Sequence, residues 1–171
     1  MTPEVATAIV EEYANLFQAE CGTTCKVLTA VKDDTRDYKP DPKSRTAWEL
    51  ATHLATGDIW FLNSIITGSF GMDPEAEKAL IASFKTSADV AAFYKDALAG
   101  KIAELRALTP EQATRTVDFF GMMQRPAVGF LGLANNHSIH HRGQLAGYLR
   151  AMGSKVPALY GGSADEPTPG M

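Results

Sequence analysis

Proline placement constrains this chain more than any other feature. A proline inside a helix removes a hydrogen bond and clashes with the preceding turn. Here prolines fall at Pro3, at Pro40 and Pro42, at Pro74, at Pro110, at Pro126 and from Pro157 onward, which leaves long proline-free runs between them. Residues 3 to about 31 open on Pro3 and Glu4, suited to a first helical turn, and carry Val5, Ile9, Leu16 and Val27 among helix formers. They read as one long helix, with Gly22 the place for any bend. Asp33 to Lys43 holds the Pro40/Pro42 pair and reads as a linker. A second helix runs from Ser44 or Arg45, with Ser44 as the N-cap, to about Thr67 before Gly68. Asp73-Pro74-Glu75 signals a short helix within 72–86, and helical spacing of Val90, Phe93, Leu98, Ile102 and Leu105 predicts a third main helix over 87–108. Residues 114–123 suit a turn or short hairpin, and a fourth helix is predicted from Pro126 to Met152 with Gly153 beyond its end.

Four long helices without a convincing sheet predict an all-α antiparallel four-helix bundle, with a short irregular segment between the third and fourth helices. At 171 residues the chain is expected to form a single domain, 1–171, in which 153–171 is a surface tail. Lys and Arg number 16 against 20 Asp and Glu, and the basic residues are scattered, so nucleic acid is not an expected partner. The uncharged, largely apolar stretch 59–72 falls short of the roughly 18 apolar residues that suggest a membrane span. The chain opening lacks the basic start and apolar core of a signal peptide, which makes the cytoplasm the expected location. Cys21 and Cys25, one helical turn apart, are expected to be free thiols.

The chemistry lies in the four histidines. His137 and His141 are about 40° apart on a helical wheel, on a face shared with Phe130, Ala134, Leu145 and Tyr148, while His140 lies roughly 60° to the other side of His137. His53, on the second helix, shares its stripe with Leu50, Leu54, Gly57 and Phe61, and Gly57 leaves room beside its ring. Three inward imidazoles from two helices suit a divalent metal with open coordination positions. Left without a metal, their polar nitrogens would need partners and their charged forms would repel. From spacing alone a metal triad and a chance pair beside a core histidine are both open, since any two histidines four apart fit the template.

The run Asn136-His137-Ser138-Ile139-His140-His141-Arg142-Gly143-Gln144-Leu145, together with Ala47-Trp48-Glu49-Leu50-Ala51-Thr52-His53, resembles the DinB superfamily of bacterial proteins. The likeness extends to the loop from Lys39 to Arg45 and to the tail from Lys155 to Glu166. This superfamily is unrelated to the translesion polymerase that shares its name. The resemblance implies an up-down-down-up four-helix bundle and one divalent ion per chain; three imidazoles suit zinc, nickel, iron or copper, with zinc and nickel the leading candidates. It places the ligands at His53, His137 and His141 and implies a frequent homodimer. Several members are transferases or isomerases that use a low-molecular-weight thiol, and many have no established reaction.

Three further residues are candidates around the metal. Gln144, two turns beyond His137, is placed to hydrogen-bond a metal-bound water or a ligand imidazole. His140 is placed for a backbone carbonyl or a dimer partner, and Glu49 for a general base, with a solvated helix face as its plain alternative. Three functions follow as expectations. The first is a metal-dependent transferase that activates a small thiol for attack on an electrophile. The others are a metal-dependent hydrolase using Glu49 or Asp58 as base, and a non-catalytic metal-binding or stress-response bundle. Trp48, Trp60, Phe61 and the turn from Gly68 to Met72 offer apolar surface for a homodimer.

Overall fold

The computed structural model describes residues 1–168; the last three residues of the expected tail lie outside the described residues. Four long helices make the body: α1 (Pro3–Thr29), α2 (Ala47–Thr67), α4 (Ser87–Arg106) and α6 (Leu131–Ala151). Two short helices, α3 (Pro74–Ser83) and α5 (Pro110–Thr114), sit in the connections. A hairpin of β1 (Thr116–Phe119) and antiparallel β2 (Met123–Pro126), paired Thr116 to Pro126, precedes α6. Each of α1 and α2 packs against both α4 and α6, which closes the four into the expected bundle.

The helix starts follow from capping chemistry. Thr2 caps α1 ahead of Pro3, and Thr86 and Asp89 form a reciprocal capping box at the start of α4. On α2 the cap is Thr46 rather than the expected Ser44, because Glu49 stands three residues after Thr46 and completes the box. At the other end of α2, Gly68 adopts φ 78°, and a Cβ there would collide with Arg115 Nε. The guanidinium of Arg115 occupies that space and donates to the terminal carbonyls of Ile65 and Ile66.

Four details differ from the sequence expectations. The buried side of α1 is Ala6, Val10, Ala14, Phe17, Val27 and Leu28, leaving Val5 exposed. The last helix begins at Leu131: Pro126 ends β2, and a single 3-10 turn, Ala127–Phe130, joins the two. The stripe that α6 buries is Leu131, Ala134, Ser138, Arg142, Leu145 and Leu149, so His137 and His141 lie half-buried at its edge rather than at its centre. The tail is fastened down, with Pro157 buried, Asp165 paired with Arg150 and Lys32 donating to the Gly153 carbonyl. No helix among the described residues is long and apolar enough to cross a membrane.

Candidate metal centre

The packing of α2 against α6 brings His53 beside His137 and His141. The ring centroid of His53 is 5.1 Å from that of His137 and 4.6 Å from that of His141, and the latter two are 4.5 Å apart. One ring nitrogen from each of the three falls in a group whose members all lie within 4.8 Å of one another, an arrangement that could hold a metal ion. Nε2 of His53 and Nε2 of His137 are 3.2 Å apart. Two imidazole nitrogens sharing one ion at about 2.0–2.1 Å and a near-tetrahedral angle are separated by roughly that distance. The donor set therefore fits a divalent metal without rearrangement of these two rings.

Gly57 makes the close approach possible. A Cβ at this position would lie 2.7 Å from His137 Cε1 and 3.3 Å from its Nε2, so the space expected beside His53 is in fact filled by His137. The His137 ring also packs against Phe61, with centroids 5.1 Å apart. On the far side, His137 Nδ1 is 3.3 Å from Oδ1 of Asp58, a carboxylate whose side chain is 1% exposed. Asp58 Oδ2 accepts from the hydroxyl of Tyr94 on α4 at 3.2 Å.

Burial favours the neutral form of two of these rings, His53 and His141. Burial, then the charges of Arg45, His137 and His141, depress the pKa of His53 from 6.5 to about 3. Burial also lowers that of His141, against a hydrogen bond to Gln144 that raises it. Neutral rings keep the lone pairs that a metal needs.

The remaining candidates separate cleanly. Gln144 Oε1 lies 3.1 Å from His141 Nδ1, within hydrogen-bond reach of that ring. His140 is exposed, stacking edge-on to His141 and outside the three-nitrogen group. Glu49 is committed to its own helix start: its carboxylate accepts from the Thr46 amide at 2.7 Å, which lowers its pKa and removes it as an unengaged base. Cys21 and Cys25 are half-buried free thiols, and burial, followed by the proximity of Cys21, raises Cys25 to about 11. Sequence reasoning named Asp58 only as a possible base and missed its contact with His137. The available signal was an acid inside the apolar run Gly57-Asp58-Ile59-Trp60-Phe61. It also missed Glu77 of α3, which lines a cavity of about 750 Å³ opening beside His53 and His137.

A family model for the DinB family matches residues 3–171. The chain belongs to the DinB family. It is 30% identical over 146 residues to YjoA of Bacillus subtilis (strain 168), covering 84% of this chain and 91% of that protein. The crystal structure of YjoA, a DinB-like protein, superposes with a TM-score of 0.67 over 85% of this chain and 96% of that one, at 26% identity. A DinB-like protein from Bacillus cereus ATCC 10987 superposes with a TM-score of 0.71 at 24% identity, covering 88% and 97% of the two chains, and shows the shared fold. These likenesses bear out the bundle expected for the family.

Proposed function

We propose that this DinB-family protein binds one divalent metal ion, zinc or nickel, through His53, His137 and His141, and uses it to activate a low-molecular-weight thiol for transfer to an electrophile. The observation that carries the reading is the 3.2 Å approach of two imidazole Nε2 atoms within a three-histidine group. Three protein ligands leave coordination positions open, whereas structural sites are closed by four. A bound divalent ion lowers the pKa of a coordinated thiol toward neutrality. The cavity beside His53 and His137 is walled by Trp60, Phe61 and Phe93, surfaces suited to an apolar electrophile. Glu77 on its rim, accepting only from the Thr56 hydroxyl among the described residues, is placed to take up the released proton.

The hydrolytic alternative named Glu49 or Asp58 as base. Both oxygens of Asp58 face hydrogen-bond partners and Glu49 caps α2, which favours the thiol reading over hydrolysis. A purely structural metal is disfavoured by the three-ligand count. The transferase reading predicts that metal-loaded protein consumes a small thiol with at least one member of a panel of electrophiles faster than chelated protein does. Equal rates across the panel would sink it while leaving metal binding intact.

We also infer a cytoplasmic homodimer, with light scattering as its test. The residues first expected to drive association are largely spent inside the chain. Phe61 and Phe70 are buried, Trp48 packs under the Arg36 guanidinium, and Trp60 sits among Phe61, Phe70 and Phe120. Met72, Phe120 and Met122 remain exposed to meet a second copy.

A further inference from the structure

Behind Asp58 a line of polar side chains crosses the apolar centre of the bundle. The Tyr94 hydroxyl lies 3.2 Å from Asp58 Oδ2 and 3.5 Å from Thr24 Oγ1, and Arg142 Nη1 is 2.8 Å from the same Thr24 oxygen. Tyr94, Thr24 and Arg142 are each no more than 1% exposed. Arg142 is balanced by Glu20, and the Tyr160 hydroxyl of the tail meets both. A bundle core does not need such a line, since apolar residues would fill it at less desolvation cost.

We infer that Arg142, Thr24, Tyr94 and Asp58 form a one-way chain of hydrogen bonds that holds His137 in the tautomer with its proton on Nδ1, presenting the Nε2 lone pair to His53 and His141. A guanidinium donates and never accepts, so the Thr24 oxygen accepts from Arg142. The direction is set at Tyr94, whose single hydroxyl proton reaches both Thr24 Oγ1 at 3.5 Å and Asp58 Oδ2 at 3.2 Å and goes to the nearer, carboxylate oxygen, leaving the Thr24 hydroxyl free to donate to the Tyr94 oxygen. The Tyr94 proton is then directed to Asp58 Oδ2. Burial, then the charge of Asp58, holds the Tyr94 pKa well above 10, so that proton is present throughout the physiological range. With Oδ2 supplied, Oδ1 accepts from His137 Nδ1. Were the chain reversed, a protonated Asp58 would donate to His137 Nδ1, the ring would carry its hydrogen on Nε2, and that hydrogen would stand where a ligand lone pair is required. Tyr94 and Asp58 are in this sense positioning residues for the metal-binding face of His137.

Only the affinity part of this inference rests on the metal reading above; the tautomer exists in the metal-free protein. Long-range proton–nitrogen NMR of histidine-labelled apo protein at pH 8 is expected to show His137 protonated on Nδ1. Asp58→Asn reads the direction of the chain. With Tyr94 donating to the amide oxygen, the amide NH₂ faces His137 and drives the proton to Nε2, and zinc binding weakens by roughly 100-fold. Tyr94→Phe is expected to weaken zinc binding about tenfold. Tyr148→Phe, which removes another buried tyrosine hydroxyl, one without a partner among the described residues, is expected to leave zinc binding unchanged. A wild-type His137 protonated on Nε2, an Asp58→Asn variant that keeps the proton on Nδ1, or a Tyr94→Phe variant that binds zinc as tightly as wild type would each overturn the chain. If Asp58→Asn does not fold, the wild-type tautomer and Tyr94→Phe decide it. Wild-type protein that keeps the Nδ1 proton and binds no zinc would instead overturn the metal reading.

Discussion

Gly57 is the residue at which fold and site make opposite demands. Alanine would improve the local helix by about 1 kcal/mol, yet its Cβ would stand 2.7 Å from a ring already held between Asp58 and Phe61. Gly57→Ala is therefore expected to weaken zinc binding at least tenfold in a competition titration while the apo protein melts no lower than wild type. His53 makes a second demand. Its folded pKa, about 3, lies below the ordinary 6.5, so between those values the unfolded chain takes up a proton that the folded chain refuses. His141 is shifted the same way. Stability of the apo protein is expected to fall as pH drops from about 6.5 toward 3, as read by the urea midpoint. Replacing His53 by Gln should flatten that slope; an unchanged slope would place the titration elsewhere.

Among the helices, α3 stands apart because none of its residues is buried. Its described ties to α2 are a 3.3 Å bond from Thr56 to Glu77 and the adjoining 2.7 Å bond from Trp60 Nε1 to the Gly71 carbonyl. Helices so sparsely packed open with little free energy. Amides of α3 are expected to exchange with solvent much faster than those of α2 and α4 in hydrogen-exchange mass spectrometry, and comparable protection would contradict a loosely seated α3. The four long helices were readable because prolines and caps mark their ends and apolar spacing runs between them. Helical spacing also put His53, His137 and His141 on approachable faces. The hairpin register depends on cross-strand pairings a linear reading ranks poorly, whereas the Thr46 cap was legible in the Thr46-to-Glu49 spacing and was passed over for Ser44. The roles of Asp58, Tyr94 and Arg142 were hidden for a different reason: each meets its partners on other helices, so no local period reveals it.

Taken as one body, the bundle is expected to fold without the metal. Buried leucines and aromatics from α1, α2, α4 and α6 form a continuous apolar core, and the histidines sit at the edge of it. Removing a ligand should therefore empty the site and spare the fold. That expectation turns the assignment of three particular histidines into a single comparison: bound zinc per chain, measured by elemental analysis after saturation and dialysis, for wild type, His141→Ala and His140→Ala. The account predicts about one ion per chain in wild type and in His140→Ala, and loss of most of it in His141→Ala, with the same helical circular dichroism in all three. Equal loss from the two substitutions, or no retained ion in wild type, would contradict it.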